Sequence, residues 1–380
     1  MITNSPQLHL DLPHNAVDRV WKNTEDSFSS PGNRWQALLD RLGVDAFLAW
    51  LRAEHSPHAR IWEKEATLAS FWEVVNGAAI EFDGYRAILI ATGVIDGEEL
   101  RVPQEWVDIP SWAGDYYLSI YVDPEVGEIR VLGYTTHRNL KARAEYDPSD
   151  RSYSMAGEDL VSDIEILWLA HQLCPQEPLR APIAPIAQIP LEQAENLLHR
   201  LGDKTIIRPR LAVPFALWGA LLEHHGWRQR LYQQRLGLPE QWSIQEWWQQ
   251  GVSQLGREFG WETMVMQPNL VLARGQNIPS NQVLCRQLSI AGQAYELRIL
   301  PTGKSHTWRF ELQSSEGRPI PPGLKLRLLN EDLSPFPNNE DIAVIEIERL
   351  YLEVQLTPGD GLVWQTEPLP ADYAIEVLRF

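Results

Sequence analysis

The chain is poor in cysteine, with only Cys174 and Cys285 among 380 residues. They lie far apart, so neither a CxxC metal site nor a disulfide framework can be built, and a reducing compartment, the cytoplasm, is the expected home. Positive charge is also short. Lysine and arginine number 33 against 51 aspartates and glutamates, a formal charge of -18, which argues against a general binder of nucleic-acid phosphates, because that function needs a concentrated basic footprint. The densest basic stretch, "RQRLYQQR" at residues 228–235, spaces Arg228, Arg230 and Arg235 like the solvated flank of a helix. Long apolar runs are missing as well. The longest, "LAVPFALWGALL" at residues 211–222, contains a proline and is too short to cross a bilayer, so a buried helix is expected there and no membrane contact. The opening residues, "MITNSPQLHLDLPHNAVD", lack the basic start and apolar run of a secretory signal.

Motifs that fix a reaction are absent too. There is no GxSxG, phosphate loop or dinucleotide fingerprint, and Gly251 and Gly256 fall inside a helical pattern rather than between a strand and a helix. Cys174 precedes a proline at a helix end, which does not suit a nucleophile. Glu223, His224 and His225 form the most metal-like cluster, but adjacent histidines on a helix diverge by roughly a hundred degrees and cannot share one ion. His55 and His58 sit in a turn, "HSPH". The acidic "NEDLSPFPNNED" at residues 330–341 lacks calcium-loop spacing. The expectation is a protein without cofactor or metal.

What is present is a globular composition, 44% hydrophobic and 22% charged, in a chain long enough for two or three domains. An α+β fold is predicted, with boundaries at 1–174, 175–190, 191–262 and 263–380. The first part starts helical over residues 15–55, where "SSPGNRWQALLDRL" offers a Ser/Pro start, Trp35, Leu38, Leu39 and Leu42 hold helical spacing, and Gly43 is read as the stop. The period then changes to two. "AAIEF", Asp83-Gly84 and "YRAILIA" form a hairpin, "YYLSIYV", "DPEVGE" and "IRVLGY" a second, and together they predict a small antiparallel β barrel or sandwich. Residues 158–173 read as a helix with Leu160, Ile164, Leu167, Trp168 and His171 on one side. Pro175, Pro178, Pro182, Pro185 and Pro190 then impose an extended linker. A helical block covers 191–262. Within it Ser243 and Glu246 are placed as a capping box and Gly260 as a stop, with Ile244, Trp247, Trp248, Val252, Leu255 and Phe259 forming one stripe. Alternation returns in "TWRFELQ", "LKLRLLN", "AVIEIERLYLEVQL" and "YAIEVLRF", which predicts a C-terminal immunoglobulin-like β-sandwich.

Aromatics and carboxylates crowd into "QEWVDIPSWAGDYYLSIYVD", residues 104–123. Trp106 and Trp112 flank a loop broken by Pro110 and Gly114 and are expected to cap the sheet. Tyr117, Ser119 and Tyr121 share the strand face opposite Tyr116, Leu118, Ile120 and Val122, so the tyrosine face is the expected contact surface. One of Trp247 and Trp248 joins it, because two adjacent tryptophans cannot both point inward. Glu105, Asp108 and Asp115 offer a carboxylate pair for a hydrolase.

The stretches "LRILPTG", "WRFELQSSEG", "IPPGLKLRLLNEDL", "NNEDIA" and "LYLEVQLTPGDGLVWQTEPLPADYAIEVLRF", with "VPQEWVDIPSWAGDYYL" and "GYTTHRNL" upstream, resemble a cyanobacterial family catalogued as domain of unknown function 1822. The resemblance covers most of the chain and brings no catalytic residues with it. It implies regulation by protein contact, with a transcriptional or signalling regulator as partner. The expected function is therefore a non-enzymatic cytosolic interaction protein. A ligand-binding module, carbohydrate-binding through its aromatic faces, is the alternative, and a hydrolase the third reading.

Overall fold

A computed structural model describes residues 7–94, 99–174, 176–265 and 282–380. They fall into two compact units. The first is Met1–Ile189, Asn196–Glu223 and Trp227–Leu238, and the second is Pro190–Glu195, His224–Gly226 and Pro239–Phe380.

In chain order the first unit begins with β1 (Leu8–Asp11), α1 (Ala16–Asn23), α2 (Pro31–Glu54), β2 (Arg60–Ile61), α3 (Leu68–Trp72), β3 (Ala78–Phe82) and β4 (Tyr85–Thr92). It continues with β5 (Glu99–Pro103), α4 (Gln104–Asp108), β6 (Tyr116–Asp123), β7 (Glu128–Thr136), α5 (His137–Arg143), β8 (Glu145–Asp147), β9 (Ser152–Ala156) and α6 (Glu165–Leu173). Both expected hairpins form. Asp83 and Gly84 take φ of 48° and 86°, the left-handed pair that a two-residue turn matched to strand twist requires, and β6 pairs antiparallel with β7. The expected antiparallel β region is met in part: four of the five pairings in this sheet are antiparallel, while β4 and β6 run parallel and join the hairpins into one mixed sheet, β1-β7-β6-β4-β3-β2. The chain between them, which carries β5 and α4, supplies the crossover that a parallel pair needs.

Helix α2 lies against this sheet. Ser30 Oγ accepts the Asn33 N–H at 3.1 Å, with Pro31 at the first helical position, as the sequence predicts. Gly43 does not end the helix. It faces Ile120, Ala91 and Val122, where an added Cβ would sit in ordinary contact at 3.6 to 3.7 Å, and the buried stripe Leu42, Val44, Phe47, Leu48 and Leu51 carries the helix onward. Burial of four or five such side chains outweighs the roughly 1 kcal/mol that a helical glycine costs. The helix expected over 158–173 starts only at Glu165, because Val161 pairs with Tyr134 in an isolated bridge.

The proline-rich segment has neither helix nor strand over 177–190 and is hydrogen-bonded to the first unit's own α5. Leu179 O accepts the Arg138 N–H at 2.8 Å, Ala181 N donates to His137 Nδ1 at 3.0 Å, and Ile189 is buried. Pro175 lies outside the described residues.

Helices α7 (Leu191–Leu201), α8 (Phe215–Glu223), α9 (His225–Leu236), α10 (Ile244–Gln250) and α11 (Gln254–Glu258) form the helical block. Arg228 and Arg235 are not on a solvated flank, which corrects that expectation. Arg228 lies over the Phe71 ring at 3.8 Å and reaches Glu63 at 3.4 Å. Arg235 bonds Glu73 Oε1 at 2.7 Å, Leu201 O at 3.0 Å and Ile206 O at 3.2 Å. The Ser243 cap forms. The single stripe read after it is cut, because Gly251 takes φ 90° and Ser253 caps a second short helix.

The second unit ends in β10 (Trp261–Val265), β11 (Gln282–Ile290), β12 (Gln293–Pro301), β13 (Thr307–Ser314), β14 (Lys325–Asn330), β15 (Glu340–Ile342), β16 (Arg349–Gln355), β17 (Gly361–Glu367) and β18 (Leu378–Arg379). Two antiparallel sheets result, β10-β11-β12-β13-β16 and β15-β14-β17-β18. Among the described residues no helix is long and apolar enough to cross a membrane.

Candidate functional site

The aromatic stretch at 104–123 is core. Trp106 and Trp112 are buried with ring centroids 5.2 Å apart and pack with Phe71 and Trp62. Tyr117, expected on a contact surface, has no exposed area, and its hydroxyl donates to Trp106 O at 2.8 Å while accepting the Gly114 N–H at 3.2 Å. Burial pushes its phenol well above the usual tyrosine range. Tyr121 is buried as well, bonded to Asp123 at 3.1 Å and covered by Arg130. The correction has a simple cause. Alternation predicted a half-buried strand, but β6 is central in its sheet and nearly every position is buried, as in strands covered on both faces. Trp247 is buried against Trp242 and Trp261, and Trp248 is half-buried, edge-on to Trp308 at 5.9 Å. The four residues are not brought together.

The three carboxylates read as a hydrolase pair, Glu105, Asp108 and Asp115, each hold a cation. Fully buried Glu105 takes Arg210 in a fork at 2.9 and 2.6 Å and the Trp218 Nε1–H at 2.7 Å. Asp108 accepts from Lys141 at 2.9 Å and Tyr153 at 2.8 Å. Asp115 takes the Arg180 fork at 2.8 and 3.0 Å plus the Arg86 N–H at 2.8 Å. Each is an anchor for a later segment of the chain. Removing Arg210 would be the costliest of the three, because Glu105 has no exposed side-chain area and its charge would be left unpaired.

Histidines are likewise engaged. His224 Nε2 meets Glu331 O at 2.8 Å, His225 Nδ1 meets Ile375 O at 2.9 Å, and His55 stacks on Trp168 at 4.3 Å. Among the described residues no group of three or more His, Cys, Asp or Glu is placed to hold a metal ion. Cys285 is buried and its thiol is pushed up to about 12, by burial first and then by the Glu296 and Glu262 charges. The thiolate needed for a nucleophile is thereby suppressed.

The surface that the sequence reading missed lies where the chain crosses from one sheet of the second unit to the other. Strand β15 ends at Ile342, Ala343 turns inward, and Ile347 bridges Ile320 before β16 begins at Arg349. Between these fixed points Val344 and Ile345 point out, 77% and 69% exposed, with Ile342 and Tyr351 also exposed. Asp341 Oδ2 accepts the Tyr351 N–H at 3.0 Å and ties the two strands at this point. Five carboxylates, Glu340, Asp341, Glu346, Glu348 and Glu353, accompany one arginine, Arg349, between residues 340 and 353; Glu340 is paired with Arg327 at 2.9 Å and Glu353 with Arg309, so Asp341, Glu346 and Glu348 make the acidic rim of the tip. Two β-branched apolar residues at a loop tip are opposite to ordinary turn chemistry, and contiguous exposed apolar surface with a polar rim is the usual mark of a docking face. The available signal was the pair Val344-Ile345, which breaks the alternation that "AVIEIERLYLEVQL" otherwise keeps.

A family model described as "Protein of unknown function (DUF1822)" matches residues 10–379. No curated protein and no solved structure matches the chain.

Proposed function

The chain belongs to this family, whose description names no activity, and from the chain's own geometry we propose that it is a non-enzymatic, cytoplasmic interaction protein. Its contact surface is the apolar tip formed by Ile342, Val344, Ile345 and Tyr351, on sheets read as an immunoglobulin-like sandwich. The partner is a regulatory protein that presents a basic, partly apolar segment. The exposure of Val344 and Ile345 carries the reading. The acidic rim supplies the charge complement, since carboxylates around an apolar centre favour a lysine- or arginine-bearing partner and disfavour an acidic one. Enzyme readings lose their support, because Glu105, Asp108 and Asp115 are each held by a cation. A sugar platform loses its support as well, because the aromatic faces named for it are buried or packed edge-on.

The test is a paired one on the wild type and a double variant, Val344→Asp with Ile345→Asp. Both residues are exposed, so folding stability should move by no more than about 0.5 kcal/mol. Loss of two central anchors should weaken the complex by about 2 kcal/mol or more. Proteins retained from native extract on the wild type and lost on the variant should carry a basic apolar segment that binds as a synthetic peptide. Equal retention by both proteins, with equal melting curves, sinks the assignment.

A further inference from the structure

We propose that the first unit also carries a binding site for a small oxyanion, a carboxylate- or phosphate-bearing molecule, in the cavity walled by His58, Arg60, Glu81, Tyr85, Arg86 and Arg180. The cavity measures about 330 Å³, at the lower end of the range for small-molecule sites. It is independent of the docking tip.

The tight turn at Asp83-Gly84 returns the chain so that Tyr85 and Arg86 start β4 directly beside the end of β3. Arg86 is held from several sides. Its guanidinium lies over the Trp62 ring at 4.2 Å, Nη1 donates to Ser111 O at 2.5 Å, and Nη2 donates to Glu81 at 3.1 Å. Its Nε is buried and has no hydrogen-bond partner among the described residues. Arg180 reaches the same place from the proline-rich segment, oriented by its fork on Asp115, the carboxylate that also takes the Arg86 backbone N–H. Arg60 sits opposite Glu81 in the β2–β3 register, bonded to it at 2.8 Å, and is largely exposed.

Three guanidinium groups and an imidazole therefore face two wall carboxylates, Glu81 and Asp83, with Asp115 behind Arg180. Asp83 is already bonded to Ser56 Oγ at 3.0 Å. The lining itself carries three guanidinium groups to two carboxylates, and Asp115 behind Arg180 brings the two signs level, so in a chain of charge -18 this concavity is much less acidic than the general field. Burial holds the Arg86 guanidinium below its usual range and the neighbouring Arg180 charge adds to that, while Glu81 pulls the other way. A bound anion would act in the same sense as Glu81. Planar guanidinium forks suit carboxylate and phosphate oxygens, and two of the three are fixed beforehand, so little ordering is lost on binding.

The experiment is calorimetric titration of the full-length protein with sodium phosphate and, separately, sodium malonate, each at an ionic strength matched with sodium chloride. Glucose serves as the neutral control. Saturable binding of at least one oxyanion is expected, and which one binds tells phosphate from carboxylate. Arg60→Gln should weaken it about tenfold or more, the size of a lost charge-assisted hydrogen bond. The unliganded melting curve of Arg60→Gln should be unchanged, since the side chain is exposed. Arg180→Gln should weaken binding likewise. The proposal is overturned if neither anion binds saturably, if glucose binds equally well, or if Arg60→Gln leaves the affinity unchanged in a protein that melts normally.

Discussion

Asp40 shows how one side chain in this fold couples to pH. It lies on the sheet-facing side of α2, fully buried, where Oδ2 accepts the Gly77 N–H at 3.1 Å and Gln36 Nε2 reaches Oδ1 at 3.3 Å. Burial raises its carboxyl from 3.8 to about 7, and the hydrogen bonds from Gly77 and Gln36 only partly oppose that. The folded protein therefore holds this proton more tightly than the unfolded chain. Its contribution to stability is fully present below pH 3.8, falls as pH rises, and is lost above about 7. Across that window the change amounts to about 4 kcal/mol. Asp40→Asn keeps an acceptor for Gly77 and removes the titration. The expected outcome is a variant whose advantage over wild type grows between pH 5 and pH 8, measured by urea unfolding at each pH. A stability difference that stays constant across that range would place the coupling elsewhere.

The proline-rich stretch shows what an element's sequence says and what it leaves out. Prolines forbid helix there, and the described residues 177–190 form neither helix nor strand. Its fastening depends on Asp115, 65 residues earlier in the chain, through Arg180. Asp115→Asn should weaken that clamp, and because Arg180 remains, trypsin can report the change at the Arg180-Ala181 bond. Losing a charge-assisted fork should raise the cleavage rate about tenfold. Unchanged cleavage would mean that the Leu179 and Ala181 backbone bonds hold the segment alone. The same division runs through the other elements. Asp83-Gly84, the Ser30-Pro31 start of α2 and the Ser243 cap were legible because turn and cap chemistry is local. The parallel pairing of β4 with β6 was not, because alternation says nothing about which strand becomes a neighbour. Arg235 was misread for the same reason, since its partner Glu73 lies 162 residues away. Among the candidate contact residues, Tyr117 failed because nothing local in "YYLSIYV" reveals that both faces of a central strand are covered. The Val344-Ile345 tip shows in the sequence only as a break in period inside a stretch that otherwise alternates like a strand.

At the scale of the whole molecule, the charge of -18 makes any partner's approach dependent on salt. A protein of this sign repels acidic partners and attracts basic ones over a distance set by the Debye length, about 10 Å at 0.1 M and about 3 Å at 1 M salt. Under the proposed function, the exposed tip at Val344 and Ile345 would add the apolar contact that remains after encounter. The two contributions respond oppositely to salt, because screening weakens the acidic rim while apolar burial is unaffected or slightly favoured by it. For a basic peptide taken from the partner, association with the wild type should therefore slow about tenfold as sodium chloride is raised from about 0.05 to about 0.5 M, with the dissociation rate changing much less. Replacing the exposed rim residues Glu346 and Glu348 by Gln should flatten that dependence and leave dissociation near its wild-type value. Surface-plasmon kinetics on the two proteins measures both rates. An association rate that ignores salt in the wild type would show that the rim does not steer the partner, even if the apolar tip holds it.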